Sequence, residues 1–220
     1  MQAQELKETL ASLDTACFCD ADKSIRVLDP GIHRINPGQK LIGFAHTVKC
    51  RDDFLTVIKA LKDANTDEAL VIDAGGGKKA VAGELFSTEA ARKGLAGLII
   101  DGACRDVVSI QSLSIPVYSK FVSPMAGTTK QVFDTQVPIV CGGVQVEPGE
   151  IVFGDDDGII ILSESEHSRL LPIALEIQRK EQEALRKMAE DESLLNMLNF
   201  DEHYDRRSPR EESGLSFTIK

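Results

Sequence analysis

The sequence predicts an α/β core followed by a long C-terminal helical extension, and three observations carry that reading. Short apolar, β-branched runs such as VIDA (71–74) and GLIID (97–101) alternate with apolar-periodic helical segments. From residue 136 the texture changes to short runs divided by Gly, Pro and Asp turns, which reads as a β-rich layer. Residues 164–199 then read as one charged helical stretch with recurring apolar positions, among them Leu171, Leu175, Leu185, Met188, Leu195 and Leu198. The expected organisation is a core over 1–163, a helical extension over 164–200 and a polar tail over 201–220.

The elements follow in order. AQELKETLASL (3–13) is an amphipathic helix. An irregular stretch follows, in which Cys17 and Cys19 read as neighbours on one face of a strand. KLIGFAHTVKC (40–50) is apolar and β-branched, hence a strand. Asp52 or Asp53 offers a cap for a helix over FLTVIKALKDA (54–64). EALVIDA (68–74) is a strand, a helix is expected over about 82–93 with Gly94 as its C-cap, and GLAGLIIDG (94–102) is a second strand. RDVVSIQSL (105–113) is a short helix and IPVYSK (115–120) a strand. VPIVCGG, VQVEPGEIVFG and DDDGIIILSE supply the later strands. The tail DEHYDRRSPREESGLSFTIK has a disordered or partner-dependent composition.

Composition narrows the function classes. Lys plus Arg total 25 against 35 Asp plus Glu, a formal net charge of −10. A nucleic-acid binder needs a basic surface, and tryptophan is absent, so base-stacking material is scarce. Local cations around a small anion remain compatible with that balance. The cysteine count is five, an odd number, and no C-x-x-C pair occurs, which points to reduced thiols and a cytoplasmic setting. No apolar run reaches the roughly 18 residues of a membrane span.

VIDAGGGKKAVAGELF (71–86) is the most conspicuous segment. Gly75-Gly76-Gly77-Lys78-Lys79-Ala80 fits G-x-G-x-x-A, and Asp101 stands where a ribose-binding acid would end the next strand. Against a dinucleotide site, the unit lies inside the domain rather than at its head, and short β segments stand where a second mononucleotide half should be. The glycines are left to bend the chain, either as a plain tight turn or as the approach to a smaller anion site. Lys78 and Lys79 are solvated surface cations or local attractors of that anion.

The chemistry is better carried further on. Arg105 offers a planar fork for a carboxylate, and Asp106 a hard oxygen for Mg²⁺ or Mn²⁺. Both follow a strand, where α/β proteins place ligands. Gly83 and Glu84 stand at a helix start, whose unpaired N–H groups attract anions. Arg105-Asp106 as a surface pair and Glu84 as an ordinary acid in a first helical turn are the competing structural readings.

Spacing adds weight. Glu84, twenty intervening residues, then Arg105-Asp106 gives E-x20-R-D. This resembles the D-x20-R-D signature of the class II pyruvate aldolases acting on 4-hydroxy-4-methyl-2-oxoglutarate, members of the RraA-like family named for the regulator of ribonuclease activity A. The segments AGGGKKAVAGELFSTEAARKGLAGLIIDGACRDV, IPVYSKFVSP and VEPGEIVFGDDDGIIILSE also resemble that family. The resemblance covers about 15–165, is strongest over 71–124, and leaves the long helix and tail unaccounted for.

The resemblance implies an RraA-like swivelling β/β/α core, assembled as a homotrimer or hexamer with sites between subunits. It implies that Asp106 ligates a divalent metal, Mg²⁺ or Mn²⁺, that Arg105 binds the pyruvyl part of a 2-oxo acid, and that Gly83, Glu84, Leu85 and Phe86 line the anion pocket. Glu84 replaces the signature aspartate, with one more methylene before its carboxylate. It is the candidate proton carrier, acting through a water on the metal. Asp101 is expected to support the site from behind. The alternative function in the same family is a protein-binding regulator of a ribonuclease. His33, His46, His167 and His203 make no metal-ligand pattern, and His46 reads as a core or interface residue. Asp155-Asp156-Asp157-Gly158 reads as a turn, since it lacks the spaced oxygens of a Ca²⁺ loop.

Overall fold

The computed structural model describes residues 2–206 and 214–218. Helices α1 (Ala3–Leu10) and α2 (Thr15–Ala21) come first, then the short strands β1 (Arg26–Val27) and β2 (His33–Arg34). Strand β3 (Leu41–Lys49), helix α3 (Leu55–Asp63), strand β4 (Glu68–Ala82), helix α4 (Glu84–Arg92) and strand β5 (Gly97–Cys104) form the centre. Helix α5 (Val107–Ile110), strand β6 (Val117–Val122), the hairpin β7 (Ile139–Cys141) and β8 (Val144–Val146), and strands β9 (Ile151–Gly154) and β10 (Ile159–Leu162) complete the core. The extension holds α6 (Glu164–Ala189), a 3-10 turn over Leu194–Met197 and α7 (Phe200–Arg206).

One eight-stranded sheet runs in the order β1-β10-β9-β3-β4-β5-β6-β2. Its middle strands β3 to β6 are mutually parallel, with antiparallel strands on both sides. Every residue of β5 is buried, as expected of a parallel strand covered on both faces. The alternation of side chains separates two layers. Leu70, Ile72, Leu98 and Ile100 face the helices, meeting Val57 of α3 and Ile110 of α5. Val71 and Ile99 face the other way, onto Ile139, Cys141 and Val146 of the β7–β8 hairpin. The result is a β/β/α arrangement. A third cluster seats α1, α2 and α6 on the sheet's antiparallel side, through Leu6, Leu10, Phe18, Phe153 and Leu170.

Several expectations change. Cys17 and Cys19 lie on α2, not on a strand, because the Asp14 carboxylate caps the segment by accepting the Cys17 N–H at 2.9 Å. Helix α3 starts at Leu55 without a side-chain cap on Phe54, although Asp53 does accept the Leu55 N–H. Helix α6 begins with the capping box of Ser163 and Glu166, carries Pro172 inside it, and ends at Ala189 rather than continuing to 199. Asp191 turns the chain away in the left-handed region, at φ 71°. The tail is not wholly irregular. Residues 200–206 are helical, and 214–218 return to pair with 197–199 through Asn199 N–H to Ser216 O and Thr218 N–H to Met197 O. The rest of the tail, 207–213 and 219–220, lies outside the described residues.

The Asp155-Asp156-Asp157 turn joins β9 to β10, as expected. Buried Asp155 takes the N–H and the hydroxyl of Thr15 at 2.7 and 2.8 Å, tying α2 to the sheet. His46 is buried and bonds Glu68 through Nδ1 at 2.9 Å, a core pairing between β3 and β4. Among the described residues no helix is long and apolar enough to cross a membrane.

His167 of α6 lies buried against the Phe18 ring of α2, centroids 6.5 Å apart and nearly parallel. Burial pushes its pKa down from the ordinary 6.5, against weaker opposing pulls from Glu164 and Glu5. The folded state therefore binds this proton less readily than the unfolded chain. Stability contributed by neutral His167 is complete above pH 6.5 and is lost as pH falls below it. The melting temperature should decline as pH falls below 6.5, and His167→Leu should flatten that slope in thermal melts.

Candidate active site

The site is assembled by the pairing of β4 with β5. Their register is regular from Ala69 opposite Gly97 to Asp73 opposite Asp101, then shifts so that Gly77 faces Gly102 and Ala82 faces Cys104. Strand β4 thus spends more residues than β5 over the same length, and the excess bulges out. Gly75 and Gly76 sit in the bulge at φ 62° and 67°, a region open to glycine at no steric cost. The glycines do bend the chain, but within a strand: β4, expected to end at residue 74, continues to Ala82, and the expected helix begins only at Glu84, so no helix start adjoins the glycines as a phosphate cradle requires. Lys79 lies 3.6 Å from the Asp52 carboxylate, and Lys78 is exposed.

The register delivers Gly83 beside Arg105 and Asp106. The Arg105 N–H bonds Ala82 O at 3.1 Å. The Glu84 N–H, first of α4, donates to Asp106 Oδ2 at 3.2 Å. Arg105 Nε lies 3.5 Å from the same oxygen. Gly83 is extended, so its need is for space: a methyl there would stand 2.6 Å from Asp106 Oδ2 and 2.9 Å from Arg105 Cγ. Asp106 itself is left-handed, at φ 60°, an uncommon state for a non-glycine residue, and its carbonyl accepts the Ile110 N–H that starts α5. Thus Gly83, Glu84, Arg105 and Asp106 meet within one chain.

They open onto a cleft of about 160 Å³. Its walls are Phe54, Val81, Leu85 and Phe86, with the small residues Ala80, Ala82 and Ala126 between them. Phe54 and Phe86 meet edge to face at 5.7 Å. Leu85 and Phe86 follow Glu84 in the first turn of α4, where backbone N–H groups have no intrahelical acceptor. The Glu84 side chain is exposed and is not part of the cleft wall; its backbone N–H is what reaches Asp106.

Three participants were not legible as such in the sequence: Phe54, Ala126 and Asp53. Ala126 belongs to the segment after β6, which clips onto β4 through Ala80 N–H to Met125 O and Gly127 N–H to Ala80 O. Asp53 holds that segment. Its buried carboxylate accepts from the Thr128 hydroxyl, Lys130 N–H and Gln131 N–H, besides Leu55 N–H. Burial raises the Asp53 pKa, but these four donors together outweigh it and hold the group at about 2. A candidate cap was visible at Asp53; its partners, some 75 residues away, were not.

Asp101 is not part of the site. Its Oδ2 accepts the Gly142 N–H at 2.9 Å, and its other oxygen lies 3.5 Å from Lys120 Nζ. It shares the parity of Ile99, so it secures the β7–β8 hairpin on the opposite face.

Among the described residues no three His, Cys, Asp or Glu side chains stand close enough to form a metal cage. Asp106 offers a single carboxylate at the polar end of the cleft. That donor set suits a hard cation such as Mg²⁺, which keeps waters and takes substrate oxygens, and does not suit a structural zinc.

Fold and cleft together define a three-layer α/β protein with a guanidinium–carboxylate site at the carboxyl ends of parallel strands. The model of the RraA-like family (Aldolase/RraA) matches residues 15–161, and the chain belongs to that family. A Halalkalibacterium halodurans protein named "Putative 4-hydroxy-4-methyl-2-oxoglutarate aldolase" is 31% identical over 184 residues, 83% of each chain. The structure of the RNA-processing inhibitor RraA from Thermus thermophilis aligns with a TM-score of 0.64 at 25% identity, over 68% of this chain and 92% of that one. An uncharacterized protein from Pseudomonas syringae pv. tomato shares the fold at a TM-score of 0.77 and 23% identity, over 88% and 96% of the two chains.

Asp53→Ala should leave the Thr128 hydroxyl and the N–H groups of Lys130 and Gln131 without their acceptor. A loss of about 1–3 kcal/mol in chemical denaturation is expected, with faster amide exchange over 124–131 than elsewhere in the core.

Proposed function

We propose that this protein is a divalent-metal-dependent carbon–carbon lyase of 2-oxo acids, a class II pyruvate aldolase with oxaloacetate decarboxylase capacity. It would act on substrates of the 4-hydroxy-4-methyl-2-oxoglutarate or oxaloacetate type through a pyruvate enolate. One observation carries the reading: Arg105 and Asp106 share one end of a cleft with the start of α4. The aldolase name of the Halalkalibacterium relative supports it.

In this reading Arg105 takes the substrate carboxylate in its planar fork. The free N–H groups at Leu85 and Phe86 receive a second oxygen of the pyruvyl end. Asp106 would hold Mg²⁺ or Mn²⁺, with the Glu84 N–H fixing one of its oxygens and leaving the other for the ion. When bound, the cation polarises the 2-oxo group and stabilises the negative charge left by bond cleavage. Phe54 and Phe86 keep bulk water from that charge. Glu84 carries protons between the mouth of the cleft and solvent through a water, because its own carboxylate does not face the cleft. With oxaloacetate, departure of CO₂ leaves the same enolate and needs no base on a hydroxyl. Exposed Leu85, Val108 and Met125, which adjoin the site in sequence, fit the contact face of a homotrimer or hexamer.

A second reading is a protein-binding regulator of a ribonuclease, without physiological aldolase activity. The Thermus neighbour favours it, as do apolar side chains exposed on the extension, Leu185 and Leu195.

Purified protein with Mg²⁺ should release pyruvate from oxaloacetate or 4-hydroxy-4-methyl-2-oxoglutarate, and EDTA should stop it. Asp106→Ala should abolish the metal-dependent part. Arg105→Ala should raise KM and lower kcat/KM by about ten- to a hundredfold, the loss of a charged hydrogen-bonding clamp. Absence of metal-dependent pyruvate from both substrates would leave the regulator reading, tested by adding the protein to a ribonuclease cleavage assay. Sedimentation should give three or six chains per particle, and Leu85→Glu should reduce that number.

A further inference from the structure

We propose that Asp53 is a positioning residue for the reaction: it acts through Phe54, which it holds over the cleft. This rests on the lyase reading above and adds to it a residue that touches neither substrate nor cation. The arrangement begins where β3 leaves β4. Their parallel register ends at Lys49 opposite Asp73, yet β4 runs on to Ala82. Residues 125–128 take the vacated place as a strap between β4 and the turn before α3. On the β4 side, Ala80 N–H bonds Met125 O at 2.7 Å and Gly127 N–H bonds Ala80 O at 2.9 Å. On the other side, Thr128 N–H bonds Asp52 O at 2.9 Å and Phe54 N–H bonds Thr128 O at 2.8 Å. The crossing leaves no slack at Gly127, where a methyl would stand 2.6 Å from Asp52 O.

Asp53 locks the strap to the start of α3. One of its oxygens takes the Leu55 N–H at 2.9 Å. The other takes the Thr128 hydroxyl and the Lys130 N–H, both at 2.6 Å, and the Gln131 N–H at 3.2 Å. Further along, Phe133 N–H donates to the Thr56 hydroxyl at 2.8 Å, on the same helical turn. A buried carboxylate with these four donors is satisfied and has nothing left for a ligand. Asp53 does not line the cleft, but its neighbours do: Phe54 follows it directly, and Ala126 stands two residues before Thr128.

This fastening bears on the chemistry through Phe54. Its ring meets Phe86 edge to face with centroids 5.7 Å apart, so its place follows the helix start that carries it. Arg105 grips the substrate carboxylate before and after the bond breaks. The enolate charge that Phe54 and Phe86 shield exists only once it has broken. A ring displaced by about 1 Å would admit water to that charge and leave the Arg105 grip intact. Loss of Asp53 should therefore fall on kcat and spare KM.

Pyruvate release with Mg²⁺, above the metal-only background, is measured for the full-length protein and three variants at a temperature where each is folded. The substrate is oxaloacetate or 4-hydroxy-4-methyl-2-oxoglutarate, whichever the wild type cleaves. Asp155→Ala is the stability control, because Asp155 is another buried carboxylate that gathers donors, and it does so on the antiparallel side of the sheet. Asp53→Ala should lower kcat by about ten- to a hundredfold with KM held within about twofold. Thr128→Val, which removes one donor and keeps the shape, should lower kcat by about three- to tenfold. Asp155→Ala should keep the wild-type kcat while lowering the denaturation midpoint. A positioning role is overturned if Asp155→Ala loses as much kcat as Asp53→Ala, or if Asp53→Ala keeps its kcat or loses only in KM. It is also overturned if sedimentation shows that the loss accompanies a smaller assembly. Should Asp53→Ala fail to fold, Thr128→Val decides, and an unchanged kcat there overturns the role. In all these cases the wild type still releases pyruvate and the lyase reading stands. No pyruvate from the wild type with either substrate would overturn both.

Discussion

The parallel pairing of β4 with β5 is the constraint on which the rest of the cleft depends. These strands must approach closely even where their register shifts. At the shift Gly77 lies opposite Gly102, and a methyl on Gly102 would stand 2.6 Å from the Ala74 Cβ. The spare residues of β4 leave the sheet through Gly75 and Gly76, so pairing resumes at Ala80 and holds to Ala82. Only that resumption sets Gly83 next to Asp106, with room for a hydrogen atom and none for a methyl. The guanidinium, the carboxylate and the helix start then share one corner of the molecule, where Phe86 of that helix start packs on the core.

Buried carboxylates do the long-range fastening around that corner. Asp53 gathers the segment after β6 and thereby holds Ala126 against the cleft. Asp101 fastens the β7–β8 hairpin to the far face, and Asp155 fastens α2 to the β9–β10 turn. Asp53 and Asp155 each take several donors, and Asp101 takes the Gly142 N–H with the Lys120 ammonium 3.5 Å from its other oxygen, so each buried charge has a partner. The contrast with Asp106 is informative. It has one N–H donor and one distant guanidinium, sits half-exposed, and is held in a left-handed backbone that most residues avoid. A carboxylate so placed has capacity left for a ligand.

Much of the fold could be read in the sequence because its signals are local. The apolar runs of β3 to β6 and the turn residues after 136 follow the period of buried strands, and the charged periodicity of 164–189 follows that of a helix. The misreadings have equally local causes. Glycines inside a strand look like the end of one, so β4 was broken at residue 74 when it continues to 82. The Cys17–Cys19 spacing matches a strand face, but the Asp14 cap settles the segment as a helix. Asp101 directly precedes Gly102 in the chain, yet strand alternation sends its side chain to the other face.

By itself the sequence determined the family, the order of the central elements from β3 to β6 and the charged pair Arg105-Asp106, because residue type, period and the E-x20-R-D spacing are properties of the chain alone. Only the tertiary structure decided what surrounds that pair. Phe54, Val81 and Ala126 come from three separate segments and carry no chemistry that a sequence could flag. They become a wall because β4, α3 and the loop held by Asp53 converge there. The same convergence turned the Glu84 side chain outward while its N–H reached Asp106, a distinction set by where the backbone points and not by which residue stands at the position.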